Sequence, residues 1–194
     1  MMKSIAVFCG SSTGTDEIYK TQARLLGQTF SKQNIILVYG GAKYGLMGTV
    51  ADEVLNNGGK VIGVLPHFLK NREAAHERLS ELILVDTMHE RKIEMFELCD
   101  GFIALPGGFG TLDELFEIIT WAQLGLHKKP IAILNINGFY DSLIGLIETL
   151  VAKGFVKEEN KKMILTGSDI NDLLYQMNNY IAPVDGAHIT QEVI

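Results

Sequence analysis

The stretch that most constrains this chain is Gly101 to Trp121, where an apolar strand passes through a glycine turn into a helix within a few residues. Phe102 to Leu105 is a short apolar run closed by Pro106, as expected of a buried parallel strand. From Leu112 the apolar spacing becomes helical and predicts a buried stripe of Leu112, Leu115, Phe116, Ile119 and Ala122. Gly107, Gly108 and Gly110 fill the turn. The same unit occurs twice earlier. Ser4–Cys9 leads through Gly10–Gly14 to a helix over 16–32, and Ile35–Tyr39 leads through Gly40–Gly48 to a helix ending at Asn57-Gly58-Gly59.

The alternation then continues. Strands are expected at Val61–Leu65, Leu82–Val85, Pro130–Leu134 and Met163–Leu165. Helices are expected from Thr87 to Leu98, from Tyr140 to Lys153, and from Asp169 to Met177 with Ser168 or Asp169 as cap. This pattern predicts an α/β chain: one Rossmann-like domain over residues 1–181, with a mostly parallel sheet and helices on both faces. A loosely held tail over 182–194 follows. Ligands of such sheets bind beyond the carboxyl ends of the strands, where all three glycine turns fall, so one shared cleft is expected.

The central turn favours an anion. Glycines admit positive φ and close approach to the main chain, and the helix behind them offers unpaired N–H groups and a positive dipole end. Thr111 adds a hydroxyl. The plainer alternative is a tight connection capped by Thr111, yet three glycines within four positions exceed what a cap needs. Glu114 is expected in the first helical turn, with Glu117 and Trp121 opposite the apolar stripe. A carboxylate would repel phosphate, so a ligand role there faces another portion of the same molecule, about one sugar away. Arg91 and Lys92, near the start of the helix after Thr87, oppose the dipole of that helix, which points to an anionic partner. A surface pairing with Glu90 or Glu94 is the ordinary alternative.

Other features exclude more than they propose. The Gly10–Gly14 turn lacks the G-x-G-x-x-G spacing, so a nicotinamide or flavin cofactor is not indicated, while Ser11 and Ser12 form either a second ligand edge or a helix-initiating loop. Residues 67–78 are polar, without periodicity, and read as a lid or a solvated loop. His67 and His76 lack partners at ligand spacing, so no metal is expected and both read as solvated. A net charge of −6 argues against nucleic-acid binding. Cys9 and Cys99 lie in or beside apolar segments, no charged-then-apolar leader is seen, and no apolar run reaches membrane length, so a soluble cytoplasmic protein is expected.

Pro106-Gly-Gly-Phe-Gly-Thr-Leu-Asp-Glu114 matches in full the PGGxGTxxE signature of the LOG (Lonely Guy) family of nucleoside 5′-monophosphate phosphoribohydrolases. Met88-His-Glu-Arg-Lys92 resembles the second block of that family, and the likeness runs from about Ser4 to Met177. The resemblance implies cleavage of AMP or N6-substituted, cytokinin-type nucleotides to free base and ribose 5-phosphate, with no cofactor. It implies Glu114 and Arg91 as the catalytic pair. Substrate contacts are implied at Lys92, Gly108, Phe109, Gly110, Thr111, Leu112 and Asp113, and also at Gly41, Gly45, Met47, Glu73 and Thr120. It further implies a homodimer, for which apolar residues around Phe116–Leu126 offer a contact. Two other readings stand beside this one: a module of the same fold that holds a nucleotide without cleaving it, and a decarboxylase, the older label of such chains, which requires a pyridoxal phosphate lysine.

Overall fold

The computed structural model describes residues 1–70 and 75–183. Seven strands form a single sheet: β1 (Ser4–Phe8), β2 (Ile36–Tyr39), β3 (Val61–Pro66), β4 (Glu81–Val85), β5 (Gly101–Ala104), β6 (Ile131–Leu134) and β7 (Ile164–Gly167). Their order is β4-β3-β2-β1-β5-β6-β7, and every pairing is parallel. The expected "mostly parallel" sheet is thus parallel throughout. The longer helices are α1 (Glu17–Gln33), α2 (Gly45–Asn56), α3 (Met88–Glu97), α4 (Phe109–Gln123) and α5 (Asp141–Ala152), followed by a four-residue α6 (Glu158–Lys161) and α7 (Ile170–Asn178). The short α6 has no apolar periodicity and was not expected.

Continuous apolarity along the central strands has its cause in the two faces they bury. Ile5, Val7, Leu37, Ile103 and Leu134 pack with α1, α2 and α7, whereas Ala6, Phe8, Val38, Phe102 and Ile133 pack with α3, α4 and α5. Successive side chains of β1 therefore enter opposite cores, and all of Ile5 to Phe8 are buried. The caps follow local chemistry. The Asp16 carboxylate accepts from the Ile18 amide, the Thr87 hydroxyl from Glu90, and the Asp169 carboxylate from Asp172. Glu90 in turn accepts from the Asp86 amide at 2.9 Å, so it secures the start of α3.

The central helix differs from expectation in two respects. It begins at Phe109, three residues before the apolar periodicity does, so Thr111 is inside the helix and Glu114 stands in the second turn, while the first turn carries no acid. Its buried stripe is Thr111, Leu115, Ile118 and Ala122, and Phe116 is 37% exposed. Rotating the stripe brings Glu114 next to the buried face, away from the fully solvated side. The expected tail beyond residue 182 lies almost wholly outside the described residues.

Candidate active site

After β1 the chain moves to β2 on one side of the sheet, and after β5 to β6 on the other, so the adjacent pair β1 and β5 marks the topological switch point. The turns after β1, β2 and β5 meet there. Gly10 joins them: its amide donates to the Pro106 carbonyl at 3.0 Å, and its own carbonyl accepts from the amides of Leu46 at 3.0 Å and Met47 at 3.4 Å. The N-terminus of α2 therefore meets a carbonyl of its own protein. Gly45 has φ of +65°, and a Cβ there would stand 2.2 Å from the Ser11 carbonyl carbon, so only glycine permits this seam.

The start of α4 is arranged otherwise. Gly108 is its N-cap, with φ of −95° and no side-chain cap, so the expected positive φ is not used at this turn. Of its glycines, Gly107 alone serves close approach within the protein. A Cβ on Gly107 would lie 2.1 Å from the Thr111 hydroxyl oxygen, whereas Gly108 and Gly110 face open space with nothing within 4 Å. The helix end opens on a cavity of about 220 Å³ whose walls include Cys9, Ser11, Met47, Arg91, Gly108, Phe109, Gly110, Thr111 and Glu114. Unpaired amides and a positive dipole end at an open concavity suit an anion.

Opposite this helix end stands a buried ion pair. Arg91 is 6% exposed, donates Nε–H to the Val64 carbonyl at 3.2 Å, and has Nη1 3.8 Å from the Met88 Sδ. Its Nη2 lies 3.7 Å from Glu114 Oε1, with both side chains largely buried. Burying two charges at more than hydrogen-bond length is a poor way to stabilise a fold, because desolvation cancels most of the attraction. The same geometry sets the Arg91 guanidinium and the Glu114 carboxylate side by side in the cavity wall. Cys9, at the end of β1, has its thiol pushed far above the ordinary range by burial and then by the Glu114 charge, so it lines the cavity as a neutral group.

Lys92 takes a different position from its neighbour. Its Nζ is 2.8 Å from Asp113 and 3.3 Å from Glu117, so the anion that its awkward place on α3 called for comes from α4. Burial alone would lower the Lys92 ammonium, but the hydrogen bond and charge of Asp113 and those of Glu117 outweigh it and hold it above the usual lysine value. Leu112, Asp113 and Thr120 line a separate shallow hollow with Phe116 and Trp121. Gly41, with φ of +80°, offers its carbonyl to the His76 amide at 3.0 Å, and Glu73 lies outside the described residues. The expectation of a solvated His76 is overturned: it is 6% exposed and its Nε2 is 3.2 Å from Asp52. Among the described residues no cluster of His, Cys, Asp and Glu has the makings of a metal site.

A family model described as "Possible lysine decarboxylase" matches residues 47–177. Cytokinin riboside 5′-monophosphate phosphoribohydrolase LOG1 of Arabidopsis thaliana is 46% identical over 179 residues, covering 92% of this chain and 84% of the relative. The corresponding LOG protein of rice, Oryza sativa subsp. japonica, is 45% identical over 179 residues, covering 92% and 74%. The chain belongs to the LOG family. LOG7 of Arabidopsis thaliana, at 43% identity over 192 residues, extends the match to 99% of this chain and 88% of the relative.

Solved structures share the LOG-type fold at much lower identity. The molybdenum cofactor carrier protein of Chlamydomonas reinhardtii superposes with a TM-score of 0.69 at 19% identity, covering 93% of this chain and 100% of that one. DNA processing protein A of Helicobacter pylori does so with a TM-score of 0.59 at 14% identity, covering 92% and 81%. Lys92, the lysine of the second sequence block, does not suit the decarboxylase description. A lysine that forms an imine must be poised to lose its proton, and Lys92 is held as an ammonium by two carboxylates.

Sequence reasoning missed three features of this site. It gave Cys9 no part in the cavity, had no means of seeing that the Gly10 carbonyl receives the start of α2, and read Gly40, whose missing Cβ leaves room for the Arg91 guanidinium, only as turn chemistry. The last has a signal in the sequence, a glycine directly after a strand, but its meaning depends on a side chain 51 residues away.

Proposed function

We propose that this chain is a nucleoside 5′-monophosphate phosphoribohydrolase, an N-glycosidase that converts AMP or an N6-substituted AMP to the free base and ribose 5-phosphate. The observation that carries this reading is the Arg91–Glu114 pair, held 3.7 Å apart in the cavity into which the uncapped end of α4 opens. The 5′-phosphate is received by the amides of Gly108 to Thr111, which fixes the ribose beside Glu114. As the bond from C1′ to the base nitrogen breaks, its electron pair leaves with the base and C1′ becomes an oxocarbenium ion. The Glu114 carboxylate stabilises that charge and takes a proton from the attacking water, whose oxygen bonds to C1′. The departing base gains a proton, so one water is consumed. Arg91 balances the charge of the phosphate and orients the ribose oxygens.

The phosphoribohydrolase names of relatives at 43–46% identity support this assignment. In this reading the enzyme works in the cytoplasm as a homodimer, with the apolar residues around Phe116–Leu126, Phe116 on the exposed side of α4 among them, as the contact. Light scattering at twice the chain mass checks the dimer. Incubation with AMP and with N6-prenyl AMP, following release of the base by chromatography, tests the activity. Absence of release from both by folded protein would refute it.

A further inference from the structure

We propose that Gly40 is a positioning residue for Arg91, and that the reaction depends on the side chain Gly40 lacks. This inference rests on the phosphoribohydrolase reading for its kinetic test but on geometry alone for its structural one. Gly40 is the buried residue directly after β2, where the chain turns toward α2. A Cβ built on it would meet Arg91 Nη2 at 1.8 Å and Cζ at 3.0 Å, with the Met47 sulfur next at 3.3 Å. No atom pair can stand at 1.8 Å without a bond, so the guanidinium occupies the volume that any other residue would fill.

Two features make this more than ordinary packing. Gly40 is not among the glycines with positive φ, so alanine suits its backbone and conformational strain does not dictate the glycine. The atoms in the way are also the far end of a long side chain rather than backbone. Nη2, the atom Gly40 crowds, is the one that faces Glu114 at 3.7 Å, while Nε is tied to the Val64 carbonyl at 3.2 Å. A methyl group at position 40 pushes the head of Arg91 off its place between the β2 turn and Glu114, and the fold otherwise has little reason to change. Gly40 acts through Arg91 and is not expected to touch substrate.

The test is the Gly40→Ala variant, made alone and together with Arg91→Ala. In the native background Gly40→Ala folds with a lowered Tm, and kcat for AMP hydrolysis falls by about 100-fold, the loss expected when a reacting constellation is displaced by about 1 Å. In the Arg91→Ala background the space is vacant, so adding Gly40→Ala leaves Tm unchanged. Native kcat in Gly40→Ala, or an equal loss of Tm in both backgrounds, would overturn the proposal. If the native enzyme itself releases no base, the phosphoribohydrolase reading fails while the Tm comparison still decides whether Gly40 seats Arg91.

Discussion

Helices α2 and α4 both follow a strand and a glycine turn, both start beside the switch point, and neither has a side-chain cap. They differ in what their first amides meet. Those of α2 meet the Gly10 carbonyl, and Gly45 is required there because Ser11 lies against it. The amides of α4 open on the cavity, and Gly108 and Gly110 have nothing within 4 Å. Glycine thus has two unlike uses in one chain: in the α2 turn it lets the protein approach itself, and in the α4 turn it leaves room for something else. A glycine count cannot separate these, and only the neighbours decide.

The sharpest way to break this contrast is at Glu114, which faces the open end. Glu114→Gln keeps the shape but removes the charge, and should lower base release by roughly 100- to 10,000-fold while AMP still binds, as read by calorimetry. Equal losses of binding and turnover would instead make Glu114 a structural support. Next come the glycines themselves. Gly45→Ala should cost about 1–3 kcal/mol of stability from the forced left-handed backbone alone, seen as a lower urea midpoint. Gly110→Ala should leave stability within about 1 kcal/mol of the native value, since an alanine near a helix start is no penalty. It should nevertheless weaken AMP binding by about tenfold, or 1.4 kcal/mol, by standing over the amides. Similar effects from the two substitutions would erase the distinction drawn between the turns.

A smaller effect is expected at Lys92, on the same helix as Arg91 but turned to Asp113 and Glu117. Its raised pKa means that the pairing contributes stability below the ordinary lysine pKa of about 10.4 and loses it as pH climbs through the higher folded value. The stability gap between the native protein and Lys92→Met should therefore be steady across neutral pH and narrow only in strong alkali. Urea titrations at several pH values measure it. A gap that closes near neutrality would show that the carboxylates do not hold the ammonium. Smallest of all, native Cys9 should resist iodoacetamide at neutral pH, because burial and Glu114 keep the thiol protonated. Rapid labelling at Cys9, read by mass spectrometry, would mean that the cavity floor is more open than described.

Much of the fold was legible because it rests on local pattern. The apolar runs from Ile5 to Phe8 and from Ile131 to Leu134, each buried on both faces, announce central parallel strands, and the caps at Asp16, Thr87 and Asp169 stand where their chemistry predicts. The strand–turn–helix unit was legible too, whereas the contact of Arg91 with Glu114, two residues that only the resemblance named together, comes from the structure. Less legible was the phase of α4. Thr111 is buried although polar and Phe116 is half-exposed although apolar, because hydroxyl and ring are sorted by what packs above them. The separate fates of Arg91 and Lys92 were hidden for the same reason: adjacent helical residues point about 100° apart, and nothing in their own segment says which of α4's carboxylates each one meets. Seams between distant turns, such as Gly10 with Leu46, exist only once the sheet order is set.

That last seam bears on how the protein would receive its ligand. With both its amide and its carbonyl engaged, Gly10 fastens the connections after β1, β2 and β5 to one another. Such a base has few shapes available to it before the guest arrives, so little disorder is surrendered on association. Selectivity is then a matter of fit to a standing mould, and a substitution that frees Gly10 should blur discrimination among related guests before it abolishes their capture.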